Sequence, residues 1–200
     1  MAIEDPGSSV EPPPGVSGNS ENPVPNLVGR FRWDDGSRHL QLSGFAGQNR
    51  FRADNGEKQD TTIWGLSLSG RLTTVGTDVL RAQLSYGPGV SSFRGGIVAG
   101  PDENGRLEEL DSYAVMVSYQ HFWRDDFFSH VIYNYGKQDN TAGQAADSQH
   151  AVEYAAANLV WEFGEKMSFG GEWLYGTRED NDGASGEANR LLFVFQMDFF

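Results

Sequence analysis

Apolar side chains fall on every second position along nine stretches of this chain. In residues 26–33, Leu27, Gly29, Phe31 and Trp33 alternate with Val28, Arg30 and Arg32. In 38–47, Leu40, Leu42, Gly44 and Ala46 alternate with His39, Gln41, Ser43 and Phe45. In 63–72, Trp64, Leu66, Leu68, Gly70 and Leu72 alternate with Gly65, Ser67, Ser69 and Arg71. In 80–86, Leu80, Ala82, Leu84 and Tyr86 alternate with Arg81, Gln83 and Ser85. Residues 113–120, 129–136, 154–163 and 167–178 repeat the pattern, and "ANRLLFVFQMDFF" closes the chain with it. A period of two is the signature of a β-strand with two unlike faces. One face of each strand is apolar and the other carries Ser, Gln, Asn, Gly, Arg and Glu. The pattern predicts about nine antiparallel strands and an all-β fold.

Period alone does not decide which face meets solvent. A soluble barrel or sandwich turns its apolar face inward, whereas a transmembrane barrel turns it toward lipid. Three features favour the membrane. Trp33, Trp64, Tyr86, Tyr113, Trp161, Tyr175 and Phe199 lie near strand ends on the apolar face, as girdles at two membrane interfaces require. Short connections ("DDGS", "TVGT", "RDD", "FGEK") alternate with long ones ("QNRFRADNGEKQD", "GPGVSSFRGGIVAGPDENGRLEEL", "KQDNTAGQAADSQH", "EDNDGASGEAN"), matching short periplasmic turns and long extracellular loops. The terminal strand, with Phe195, Met197, Phe199 and Phe200, has the form of the signal read by the barrel-assembly machinery. The expected fold is an antiparallel up-and-down transmembrane β-barrel in residues 26–200. Residues 1–25, rich in Pro, Gly and Ser, read as a loop or linker. They have neither a basic start nor an apolar core, so they do not form a signal peptide.

Composition narrows the function. The net charge is -13, which argues against nucleic acid as a partner. There is no cysteine, so neither disulfides nor thiolate metal sites can form. Mean hydropathy is -0.50, and no apolar run approaches the roughly 20 residues of a membrane helix. A weakly alternating barrel escapes that criterion.

"VEYAAANLVWEFGEKMSFGGEWLYGTREDNDGASGEANRLLFVFQMDFF" resembles the C-terminal strands of DcaP-like trimeric outer-membrane porins. "NPVPNLVGRFRWDD" and "YQHFWRDDFFSHVIYNYG" resemble earlier strands of the same family. The resemblance spans most of residues 22–200 and is most specific toward the C-terminus. It implies a sixteen-stranded barrel in the outer membrane of a Gram-negative bacterium, assembled as a homotrimer among lipid and lipopolysaccharide. It also implies passage of small anionic solutes such as dicarboxylates, with no cofactor. Family members end at the position of Phe199, so Phe200 is an added residue. An odd strand count from a periplasmic C-terminus places Met1 outside the cell. The chain is therefore expected to be the C-terminal portion of a longer porin, with residues 1–21 in an extracellular loop.

Most acidic residues fall in the connections, whereas the inward strand faces are basic. Arg30, Arg32, Arg71 and Arg81 lie on strands one, three and four, and Arg178 and Arg190 flank the last long loop. Glu172, Glu162 and Asp198 oppose them. Arginine-lined walls select anions, and the guanidinium matches a carboxylate bidentately. The alternative role for these arginines is to pair with inward acids and stiffen the wall. No metal-ligand spacing links His39, His121, His130 and His150, and "REDNDG" lacks the ligand pattern of a calcium loop. An outer-membrane barrel enzyme needs a nucleophile beside a base, and Ser129 with His130 points to opposite faces. A soluble ligand-binding barrel or sandwich is the other class compatible with the alternation. The leading expectation is a non-enzymatic anion channel.

Overall fold

The computed structural model describes residues 1–4, 7, 9–94, 96–164 and 166–198. Nine long strands carry the alternating stretches: β3 (Gly18–Asp34), β4 (Arg38–Ala53), β5 (Lys58–Thr73), β6 (Val79–Tyr86), β9 (Ser112–Arg124), β10 (Phe127–Gln138), β11 (Gln149–Glu162), β12 (Met167–Asp180) and β13 (Ser185–Met197). With the short β1 (Ala2–Glu4) they form one sheet of ten strands in the order β1-β3-β4-β5-β6-β9-β10-β11-β12-β13. Every neighbouring pair is antiparallel. Three small strands, β2 (Ser9–Val10), β7 (Ile97–Pro101) and β8 (Leu107–Glu109), make a second sheet. Among the described residues the far side of β13 has no strand partner. Phe199 and Phe200 lie outside the described residues.

Two connections that read as long loops are strand. β4 and β5 continue through the polar stretch and close at the four-residue turn 54–57, and β12 and β13 close at 181–184. The first 25 residues, which read as a loop or linker, include β1, β2 and the start of β3. Pro23 and Pro25 lack the N–H that a ladder needs, and the β3–β4 register slips on both sides of Val24.

The faces exchange character partway up the β4–β5 hairpin. Below Phe45, outward Leu40 and Leu42 are about half exposed, while inward His39, Gln41 and Ser43 are polar. Above it, the outward residues are Gln48, Arg50 and Arg52, and the inward Phe51 and Ala53 are buried. The upper hairpin is tied outside by Arg50–Asp60 at 2.5 Å and Arg52–Glu21 at 2.6 Å. Its inner face packs against the connection between β6 and β9, which folds back over the sheet. Val10, Phe45, Phe51, Ala53, Ile63, Val98 and Ala99 form this core, with Val28 and Leu107 at its margin. Gly65 must stay small here, because a Cβ would lie 2.5 Å from the Phe45 ring and 3.2 Å from Val90.

The β5–β6 turn is held by one carboxylate. Asp78 accepts the Tyr119 hydroxyl at 2.6 Å and the Phe122 N–H at 2.9 Å, and His121 Nδ1 lies 2.7 Å away. These bonds tie the start of β6 to the end of β9. They hold the Asp78 carboxyl down at about 2, against an ordinary 3.8, with the Tyr119 hydroxyl the largest cause.

A carboxyl lowered on folding stabilises the fold above its unfolded value, and that contribution is lost as pH falls through its folded value. Asp78→Asn is expected to lower the melting temperature at pH 7, with the deficit shrinking as pH falls from 3.8 toward about 2. Heat-dependent gel migration across a pH series checks this. Ile63 is fully buried in the core. Ile63→Ala is expected to cost about 2–5 kcal/mol and to open segment 87–111 to protease. Limited proteolysis reads out that loosening.

Candidate functional site

Strand register arranges the inward side chains in rows around the wall. The row nearest the short turns runs Asp34, His39, Arg71, Arg81, Ser118 on successive strands. Two residues further along each strand lie Arg32, Gln41, Ser69, Gln83 and Met116. The next row is Arg30, Ser43, Ser67, Ser85 and Ala114. Above it stand Val28, Phe45 and Gly65, beneath the folded-back segment.

Four of the predicted wall arginines, Arg30, Arg32, Arg71 and Arg81, therefore share one section of wall. They differ in their partners. Arg32 is neutralised by Asp34, with Nη2 to Oδ2 at 2.5 Å, and its Nη2 lies 3.3 Å from His39 Nδ1. Arg81 donates to Gln120 Oε1 at 3.2 Å. Among the described residues Arg30, Arg71 and Arg81 have no carboxylate in ion-pair contact. Arg71 and Arg81 are direct cross-strand neighbours. Like charges directly opposite one another destabilise a sheet.

The other predicted residues sit apart. Arg178 is at the long-loop end, paired with Asp180 at 2.6 Å and donating to the Asp147 carbonyl at 2.6 Å. Arg190 stands opposite Leu174 on β13 and has no carboxylate partner among the described residues. Glu172 faces Leu192 and accepts from Asn158 Nδ2 at 3.0 Å. The wall thus has a basic section on β3–β6 and an amide–carboxylate section on β11–β12.

The folded-back segment was not legible as part of the site. Gly87 N–H donates to the Ser112 carbonyl, and Gly89 N–H to that of Trp64, at the segment's exit from β6. Val98, Ala99 and Leu110 are fully buried. Gln59 Oε1 accepts the Leu107 N–H at 2.8 Å, and Gln59 Nε2 donates to the Gly105 carbonyl at 3.2 Å. The short apolar run "GIVAG" was the available signal, since a solvated loop has no need of it.

Outside, the sheet exposes Leu27, Phe31, Leu66, Leu159, Leu191 and Phe193, each roughly half exposed or more. Aromatics border this band. Trp33 and Trp161 stand toward the short turns, and Trp161 Nε1 donates to Asp126 at 3.3 Å. Trp64, Tyr86, Tyr113 and Tyr175 stand toward the long hairpins. Trp64 packs edge-on against Tyr86 with ring centres 5.7 Å apart, and the Tyr86 and Tyr175 hydroxyls donate to Asp111 and Glu187. Trp123 is exposed on the same face, as are Tyr133 and Trp173, two apolar-face residues outside the expected girdle. Phe195 and Met197 also lie outward on β13. Among the described residues no group of three His, Asp or Glu could hold a metal ion.

No protein-family model matches the sequence, and no curated protein sequence does. A solved structure does match: the crystal structure of the outer membrane channel DcaP of Acinetobacter baumannii, at 18% identity and a TM-score of 0.80. The match covers 96% of this chain and 56% of the channel's. This chain thus has the fold of an outer-membrane β-barrel channel and spans about half the length of the channel it matches.

Proposed function

We propose that the protein forms an outer-membrane channel through which small anions, dicarboxylates among them, diffuse down their gradients. The observation that carries this reading is the Arg71–Arg81 pair. Two cations face each other across neighbouring inward strands, and no described carboxylate pairs with either. Arg30 adds a third unpaired cation to the same section. A wall of free cations draws anions into a narrow aqueous path. The exposed apolar band and its aromatic borders suit lipid contact, and a soluble sandwich would have to hide that band. In this reading further strands close the β13 edge, and the unit is a trimer in lipid and lipopolysaccharide. The outward residues of β13 and the final Phe199 and Phe200 serve recognition by the barrel-assembly machinery. Arg32, Arg178, Arg190 and Glu172 shape the field without being its focus. No catalytic step is involved.

The triple variant Arg30→Ala/Arg71→Ala/Arg81→Ala is expected to reduce the chloride-over-sodium permeability ratio several-fold, toward unity. The charge-neutral control Arg32→Ala/Asp34→Ala should leave it near the parent value. Reversal potentials across planar bilayers under a salt gradient decide this. An unchanged ratio in the triple variant would remove the role assigned to these arginines.

A further inference from the structure

Ser43, Ser67 and Ser85 stand directly opposite one another on β4, β5 and β6, all facing inward. Ser85 is buried, and Ser43 and Ser67 are half-buried. Ser85 Oγ donates to Ser67 Oγ at 2.9 Å, and Gln83 Nε2 donates to Ser85 Oγ at 3.2 Å. A hydroxyl offers one proton and two lone pairs. The Ser67 hydroxyl accepts from Ser85, but its own proton has no acceptor among the described residues. The Ser43 hydroxyl reaches the Ser67 carbonyl only at 3.5 Å. The ladder therefore keeps hydrogen-bonding capacity for a visitor.

A cavity of about 280 Å³ opens in front of the three serines and Gln83, roofed by Phe45 and Val90, with Glu4 also in its lining. The apolar roof excludes water from one side, so a hydrogen bond made beneath it is not simply exchanged for one to solvent. Arg71 and Arg81 stand four residues along their strands from Ser67 and Ser85. That separation is about 13 Å at roughly 3.3 Å per residue, with the Arg81 guanidinium turned toward Gln120, on the side away from Ser85. A solute that moves along this face from the arginines passes Ser69 and Gln83 and then meets the serine ladder. Hydroxyl groups on that solute find donors and acceptors along the way, whereas methylene groups leave the wall's polar groups unanswered. A site built to bond hydroxyls disfavours the analogue lacking them.

We propose that the Ser43–Ser67–Ser85 ladder, met next along this face after Arg71 and Arg81, is a recognition subsite for hydroxylated carboxylates, sugar acids in kind. It prefers them to plain dicarboxylates of equal length and charge. This rests on reading the wall as an anion path. Glucarate and adipate make the matched probe, because both are six-carbon dianions and only glucarate carries hydroxyls. With protein purified from outer membranes in planar bilayers, bi-ionic reversal potentials should show glucarate permeating about threefold better than adipate. Ser43→Ala/Ser67→Ala/Ser85→Ala should bring that ratio to about one and leave the chloride-over-sodium preference intact. Where the triple variant does not assemble, Ser67→Thr should keep the glucarate preference and Ser67→Ala reduce it. A glucarate-to-adipate ratio at or below one in the unaltered protein, or one indifferent to loss of the hydroxyls, overturns the subsite. Absence of any chloride-over-sodium preference in the unaltered protein overturns instead the anion path on which it rests.

Discussion

Inside hydrocarbon, a backbone N–H or C=O without a partner costs roughly 2–7 kcal/mol, and no water is there to supply one. In the proposed outer-membrane setting, the continuous antiparallel ladder of nine long strands answers that constraint, and much else follows from it. The ladder fixes the alternation of side chains, so an apolar outside and a polar inside arise from one pattern. It also explains where irregular backbone is allowed. The prolines of β3 and its register slips fall at the same height as the ion-paired upper part of the β4–β5 hairpin, beyond the exposed apolar band.

The two faces of the β4–β5 hairpin exchange polarity near Phe45 and Trp64. Below it, the outward face is apolar and the opposite face is polar and charged. Above it, Arg50, Arg52 and Asp60 face outward, and the inward residues pack against the folded-back segment. One continuous strand thus exposes an apolar face on one side at one height and packs a dry core on the other side at the next. The segment owes its position to this switch, because Phe51, Ala53 and Ile63 provide an apolar surface on which Val98 and Ala99 can settle.

This division also explains what the sequence disclosed. The strands with one exposed apolar face and one polar face were legible as alternation, and the placement of Arg30, Arg32, Arg71 and Arg81 on one face followed from their parity. The upper hairpin was not legible as strand, since Gln48, Arg50 and Arg52 alternate with Asn49, Phe51 and Ala53 in the opposite sense. Residues 1–25 were obscured by their prolines and glycines. Pairing partners are long-range facts that no local pattern carries. Nothing near Arg71 announces that Arg81 stands opposite it, nor near Arg52 that Glu21 pairs with it. The serine row is likewise invisible until three strands are placed in register.

The hairpin that outgrows the apolar band has a consequence for display. β4 and β5 each run 16 residues, about 50 Å of strand, whereas a barrel strand crosses a bilayer in about 9–11. The surplus raises the tip at 54–57 on a braced, stiff stalk. Exposed tips of this sort tolerate foreign sequence. A peptide epitope grafted between Asp54 and Glu57 would be held away from the bilayer in a fixed attitude. The same peptide grafted near Val98 would have to displace the core.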